Sequence, residues 1–129
     1  MSAKLTLIAA ALSGALSVAL GAFGAHGLKA YLSPSALMTW QTAVQYQMLH
    51  TVVLLLLGLL MLQCGPRGLK TVATGFMCGI VLFSGSLYWL ALGGPKWLGP
   101  ITPLGGLSFI LAWLGLCFWA IFLSPESEK

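Results

Sequence analysis

The chain has 129 residues, of which 59% are hydrophobic and 6% are charged. Soluble domains carry about a quarter charged residues, so this composition excludes a soluble monomer and predicts an integral membrane protein. The net charge of +4 comes from single basic residues at the ends of apolar segments, which excludes a nucleic-acid partner.

Four apolar runs follow one another, each with about the 20 residues that a helix needs to cross the hydrocarbon core of a bilayer. None contains Asp, Glu, Lys or Arg. Because backbone polar groups must be satisfied internally in lipid, each run is predicted to be a transmembrane helix. The predicted fold is all-α: a four-helix antiparallel bundle forming a single transmembrane domain over residues 1–129, with spans at 5–25, 44–62, 71–92 and 103–123.

The first run has small residues at a spacing of four, which keeps them on one helix face. Because small residues let another helix approach closely, this face is predicted to pack inside the bundle. The predicted packing residues are Ser13, Ser17, Gly21 and Ala25. The residues predicted to contact lipid are Leu12, Leu16, Leu20 and Phe23. A cleaved signal peptide is the alternative interpretation of this run, and the three spans that follow favour a retained helix.

The second helix is predicted to start at Ser33–Pro34, where a serine cap precedes a proline at the first helical position. Trp40 and Tyr46 are typical of the water–lipid interface, so the first turns are predicted to lie there. Gly65–Pro66 predicts the end of the helix. The short polar connection that follows predicts an antiparallel hairpin with the third helix.

The third run contains Gly75 and Gly79, a GxxxG pair that predicts close packing against another helix. Thr102–Pro103 repeats the cap-then-proline pattern and is predicted to start the fourth helix. The three cysteines lack CxxC spacing, which argues against disulfides and predicts small buried hydrophobic residues. They are Cys64, Cys78 and Cys117.

Lysine and arginine positions predict the orientation in the membrane. With four spans, one side carries Lys4, Arg67, Lys70 and Lys129. The other side carries Lys29 and Lys96. The positive-inside rule therefore predicts that both termini are cytoplasmic.

This topology gathers polar side chains in the outer half of the bundle, because helices one and three end there and helices two and four begin there. Gln47 and Tyr46 lie three and four residues before His50, so each shares a helix face with it. Polar groups within lipid usually face a bundle interior or a cavity. The candidate ligand site is this polar cluster: His26, Tyr46, Gln47, His50, Ser84, Ser86, Tyr88, Thr102 and Ser108.

His26 and His50 are the only histidines. His50 has three possible roles: a buried hydrogen-bonding side chain, a metal or haem ligand, or a proton-transfer group. The first is preferred, because Gln47 or Ser84 can satisfy a neutral imidazole. His26 is predicted at the outer rim and His50 inside the bundle, about 5–10 Å apart in depth. This separation argues against one metal ion shared by both rings, and no metal or cofactor is predicted.

The chain is predicted not to be an enzyme. Ser84 and Ser86 have no GxSxG context, and no carboxylate is placed to orient a histidine. The only acidic residues are Glu126 and Glu128 in the terminal tail, which excludes paired-carboxylate chemistry. The absence of charge inside the spans argues against an ion-coupled transporter.

Four sequence blocks resemble a known family. They are GAFGAHG at Gly21–Gly27, YQMLH at Tyr46–His50, FSGSLYWLALGG at Phe83–Gly94 and LGPITPLGG at Leu98–Gly106. In this order, and over nearly the whole chain, they resemble the YgdD/YwdK-type small inner-membrane proteins, a family of unknown function. The resemblance implies a four-span, multi-pass protein of the bacterial inner (plasma) membrane. It implies no activity and no catalytic residue.

The predicted function is that of a non-enzymatic accessory, assembly or interaction component of the membrane. Its predicted partners are the lipid bilayer and either a second copy of the chain or a larger membrane protein. The alternative is a protein that binds or conducts a small ligand, a proton, a metal or haem through the outer polar cluster.

Overall fold

The computed structural model describes residues 1–122, and its regular elements are all helical in this part of the chain. They are α1 (Ala3–His26), α2 (Pro34–Cys64), α3 (Leu69–Gly79), a π-helical segment (Ile80–Ser84), α4 (Gly85–Ala91), a 3₁₀ turn (Lys96–Leu98) and α5 (Ile101–Ile121). α3, the π segment and α4 form one continuous third span, Leu69–Ala91. The predicted all-α fold with four membrane-length helices is confirmed. The end of the predicted fourth span at residue 123 and the terminal tail lie outside the described residues.

Local signals explain where the first two helices begin and where α2 ends. The Ser2 and Ser33 hydroxyls accept hydrogen bonds from the backbone N–H groups of Leu5 and Ala36 at 3.3 and 3.2 Å. Both serines are N-caps, and Pro34 follows Ser33 at the first helical position. Gly65, with φ of 80°, ends α2 in a conformation that glycine adopts without steric cost.

The predicted start of the fourth helix at Thr102–Pro103 is wrong. α5 begins at Ile101 after Pro100, which provides no side-chain cap. Thr102 lies inside the first turn, and its hydroxyl oxygen lies 2.7 Å from the Ser86 hydroxyl oxygen. The threonine therefore connects two helices, because a partner on α4 is within reach of its side chain.

The spans pack in a consistent order. α1 lies along α2, α2 also packs against the third span, and the third span lies along α5. The largest apolar core lies among all four spans and includes Leu54, Leu57, Leu69, Phe76 and Phe109. A smaller core at the end of the bundle opposite Met1 is formed by Leu28, Trp40 and Ala91, with Leu20 and Tyr88 packed against it. The loop after α1 thus covers this end of the bundle.

The packed face of α1 differs from the predicted small-residue row. Ser13 and Ser17 are buried, Gly21 is half-buried and Ala25 is exposed. An α-helix turns about 100° per residue, so each step of four residues rotates the row by about 40°. By Ala25 the row has turned away from α2, and Gly24 makes the close approach instead. A Cβ atom at position 24 would lie 2.6 Å from the Trp40 ring.

Trp40 and the cysteines also differ from expectation. Trp40 is buried, and its indole Nε1–H donates a hydrogen bond to the backbone carbonyl of Leu20 at 2.9 Å. Leu28 of the loop after α1 packs against this ring, so the Trp40 side chain faces the protein and not lipid. All three cysteines are exposed on the outside of the helices, so their predicted burial is wrong. A small thiol needs no protein contact on a surface that faces lipid.

The third span packs closely on α5 at positions where glycine lets the two helix backbones approach each other. A Cβ atom at Gly75 would lie 3.1 Å from the Ala112 Cβ, and one at Gly79 would overlap the Phe109 ring. Opposite them, Gly105 of α5 rests against the backbone of Phe83 in the π segment. In this segment the Gly85 N–H donates to the Ile80 carbonyl, five residues earlier. The sequence pattern of this span does not predict such a local widening of the helix.

Candidate functional site

The predicted polar cluster is divided in the structure into separate hydrogen-bonded groups. The first, here called the Gln47 network, joins α1, α2 and α4. The Gln47 amide Nε2 donates to the backbone carbonyl and the hydroxyl of Ser13, at 3.1 and 3.3 Å. The Tyr88 hydroxyl donates to Gln47 Oε1 at 2.7 Å. The Ser13 hydroxyl also lies 2.6 Å from the Thr51 hydroxyl.

Most of the hydrogen-bonding groups in the Gln47 network have a partner within the network. Gln47 is 3% exposed, and both ends of its amide are bonded. These bonds fix the orientation of the amide, because a carbonyl accepts and an NH₂ group donates. Partners on α1 and α4 therefore hold one buried side chain of α2, and the network connects the first three spans.

His50 forms the second group, between α2 and α5. Its Nδ1 lies 2.7 Å from the Tyr46 carbonyl oxygen, which can only accept, so this nitrogen carries the proton. Nε2 then accepts the indole N–H of Trp113 at 3.4 Å. The imidazole also stacks on Phe109, with ring centroids 3.6 Å apart and planes 9° apart. The bonding pattern thus assigns a neutral imidazole with both nitrogens engaged.

Two further contacts tie α5 to the third span. The Ser86 hydroxyl donates to the Phe83 carbonyl at 3.0 Å and lies 2.7 Å from the Thr102 hydroxyl. Ser108 donates to the carbonyl of Gly75 at 2.8 Å. These hydroxyls are bound within the bundle, and Ser108 lies apart from the Gln47 network.

The remaining predicted residues do not join these groups. His26 ends α1 and is exposed, whereas His50 is buried inside the bundle; their difference in depth stays a prediction. The Tyr46 side chain is 42% exposed, and its ring lies 4.5 Å from the Phe83 ring, centroid to centroid. Ser84 is buried, and its hydroxyl has no hydrogen-bond partner among residues 1–122.

Three residues that complete these groups were missed from the sequence: Thr51, Phe109 and Trp113. Thr51 lies four residues after Gln47, so helical spacing could have identified it. Ser13 was assigned only to helix packing, although a hydroxyl on a packed face needs a partner in lipid. Phe109 and Trp113 belong to an apolar run with no signal that distinguishes them from residues facing lipid.

The histidine environments lead to a stability prediction. We expect His50→Leu to lower the free energy of unfolding by about 1–3 kcal/mol, because it leaves the Trp113 N–H without its acceptor and removes the stack on Phe109. His26→Leu should have little effect, because its side chain is exposed. Thermal melting in detergent, with zinc and EDTA controls, measures both. Equal destabilisation, or zinc stabilisation that either variant abolishes, would contradict this arrangement.

A lateral cleft separates α1 from the third span and passes the Gln47 network. Its volume is about 500 Å³. The walls are largely aliphatic, with Leu12, Leu16 and Ile80 among their residues, and Ser84 also lines it. No group of three or more His, Cys, Asp or Glu side chains suited to hold a metal occurs within residues 1–122.

Comparisons with known proteins identify the family. Residues 20–106 match the family model described as protein of unknown function (DUF423). The chain is 43% identical over 119 residues to the UPF0382 membrane protein YwdK of Bacillus subtilis, covering 92% of this chain and 97% of YwdK. It is 39% identical over 126 residues to the UPF0382 inner membrane protein YgdD of Escherichia coli, covering 98% of this chain and 96% of YgdD.

A Staphylococcus epidermidis UPF0382 membrane protein, SERP0230, is 44% identical over 115 residues, which cover 88% of this chain and 92% of that protein. No solved structure matches the chain. The resemblance inferred from the four sequence blocks is therefore confirmed. With its four membrane-length helices, the chain belongs to the DUF423 family of membrane proteins, whose function is unknown.

Proposed function

We propose that this protein is a non-enzymatic accessory component of the inner membrane that acts by associating with other membrane proteins. The observation that carries the proposal is the inward use of the polar side chains. Gln47 bonds to Ser13 and Tyr88, and His50 bonds to Tyr46 and Trp113. Groups engaged in this way satisfy one another inside the membrane and stabilise the bundle.

The surface around this bundle supports association. α1 and α5 are the least buried spans, and the exposed faces of α1, α2 and α5 are mostly aliphatic and aromatic, with Gln41 and Gln45 of α2 among the exceptions. In lipid, helices associate through close packing and interhelical hydrogen bonds rather than through the hydrophobic effect. The partner is a second copy of the chain or a larger membrane protein.

Site-directed photo-crosslinking in native membranes tests this proposal. A photoreactive phenylalanine analogue replaces one lipid-exposed residue on each of three helices: Val18, Leu56 or Leu114. We expect at least one position to give a protein adduct of one defined mass, and samples without illumination to give none. Adducts with lipid alone at all three positions would contradict association.

Absorbance and metal analysis of the same purified protein test the alternative. A binder of haem or metal would show a Soret band or a stoichiometric metal, and either result would contradict the proposed role. We expect neither, because both His50 nitrogens are engaged and His26 is at the end of α1.

We also propose that both termini are cytoplasmic. The support is the distribution of Lys and Arg, four on the side of the termini and two on the other. Reporter fusions after Lys129 and within the 95–97 loop should therefore report opposite sides, with the first in the cytoplasm. A periplasmic signal from the fusion after Lys129 would reverse the orientation.

A further inference from the structure

The cleft between α1 and the third span is bounded at both ends. At the inner end the Met1 amino group donates a hydrogen bond to the Thr74 hydroxyl at 3.3 Å. At the outer end Leu20 of α1 and Tyr88 of α4 pack against the same small core. Between these contacts the two spans are separated, and the space opens sideways toward the bilayer.

The walls of the cleft are suited to hydrocarbon. On α1 they extend from Leu5 to Leu20, about 22 Å along the helix axis, and this length lies within a membrane span. Most of the wall is aliphatic, and the amide of Gln47 and the hydroxyls of Ser13 and Tyr88 are bonded to one another. The Ser84 hydroxyl, which has no partner among residues 1–122, is itself buried beneath the wall. A water in the cleft would therefore find few of the polar partners that a buried water needs.

The size of the cleft distinguishes among apolar occupants. A helix that crosses the hydrocarbon core is a cylinder about 10 Å wide and 30 Å long, with a volume of roughly 2,400 Å³. The cleft, at about 500 Å³, holds about a fifth of that, so it cannot enclose a whole transmembrane helix. A water occupies about 30 Å³ in the liquid, and a methylene group is similar in size, so the cleft holds about 16 methylene groups. That is one acyl chain.

We propose that this cleft binds one acyl chain of a membrane phospholipid, which fills the space between α1 and the third span. This lipid is part of the folded bundle. It provides the contacts that α1, packed along α2, does not obtain from the middle of the third span. The inference goes beyond the proposed accessory role and does not depend on it.

Gly85 offers a direct way to fill the cleft with a side chain. It lines the cleft wall, and a Cβ atom at this position would meet no other atom within 4 Å. Gly85→Phe therefore places a ring where the acyl chain would lie. Gly106→Phe is the matched control, because its Cβ would lie 3.8 Å from the Phe83 ring, an ordinary contact outside the cleft. Leu12→Trp fills the cleft from the opposite wall.

Native mass spectrometry after detergent purification and delipidating washes counts the lipids retained per chain. We expect one phospholipid on the wild type and on Gly106→Phe, and at least tenfold weaker retention by Gly85→Phe and Leu12→Trp. Losing about two buried methylene groups already corresponds to that factor. Circular dichroism establishes that each variant is folded.

Three results would overturn the proposal. They are a wild type that retains no lipid, cleft-filling variants that are folded and retain phospholipid as the wild type does, and a retained isoprenoid quinone in place of phospholipid. The last is recognised by its mass and absorbance. Photo-crosslinking tests association separately, so either proposal can fail while the other stands.

Discussion

Replacing Gly105 with leucine is expected to lower the free energy of unfolding by about 3 kcal/mol, at the upper end of the range for overpacked cores. A Cβ atom at this position would overlap the backbone of Phe83 and the carbonyl carbon of Leu82. Side chains can rotate away from an added atom, whereas a helix backbone cannot. The substitution therefore forces α5 away from the π segment, which also strains the Ser86–Thr102 contact beside it.

Gly106→Leu is the control for this prediction, because it adds the same side chain one residue later on the same helix. Its Cβ would meet only the edge of the Phe83 ring, at 3.8 Å. We expect a change within about 1 kcal/mol, as for most substitutions away from a packed feature. Unfolding followed by circular dichroism during titration with SDS measures both variants. Equal losses would show that α5 does not approach the π segment through Gly105.

Gln47→Leu is expected to lower the free energy of unfolding by about 1–3 kcal/mol, because it leaves buried polar groups without partners. The Tyr88 hydroxyl loses its acceptor, and the Ser13 carbonyl and hydroxyl lose a donor. Lipid offers these groups no replacement, whereas water at a soluble surface would. The variant should also loosen α1, which packs chiefly against α2.

Gln45→Leu makes the same chemical change two residues away, on the exposed side of α2. We expect it to be neutral or slightly stabilising, because the amide lies outside the Gln47 network and leucine is more compatible with lipid. Thermal melting of the two variants in one detergent gives the comparison. A larger loss for Gln45→Leu would mean that the two faces of α2 have been assigned in reverse.

The spans could be predicted from the sequence because hydrophobicity, length and missing charge are all properties of the chain itself. The Ser33–Pro34 start and the Gly65 end of α2 are equally local, since a cap depends on the residues beside it. Family membership followed from four ordered blocks and was confirmed by the family match. Each of these features depends on neighbouring residues or on the order of the blocks.

Which side chains meet could not be predicted, because it depends on helix rotation and on partners distant in sequence. A small drift per turn moved Ala25 from the packed face of α1 and brought Gly24 under Trp40. Thr102 fits the pattern of a helix cap, yet its contact is with Ser86. The π segment changes the rotation of everything after Ser84, including Tyr88, and no residue in Ile80–Ser84 indicates it.

The partners within the polar cluster could not be predicted for the same reason. Topology placed Gln47, His50 and Tyr88 in the same half of the bundle, but Gln47 and Tyr88 bond to each other while His50 turns toward α5. Lying in the same half of the bundle does not determine the direction of a side chain around its helix. The resulting division into separate bonded groups is what favours a structural role over a single ligand site.

The central claim is that the polar side chains within the membrane hold the helices together, and a double-mutant cycle between Gln47 and Tyr88 tests it most directly. Gln47→Leu, Tyr88→Phe and the double variant are unfolded under identical conditions. We predict a coupling energy of at least about 0.5 kcal/mol, because either single substitution already breaks the bond between Tyr88 and Gln47. Strictly additive losses would contradict the claim, because they would mean that the interaction between the two side chains contributes nothing to stability.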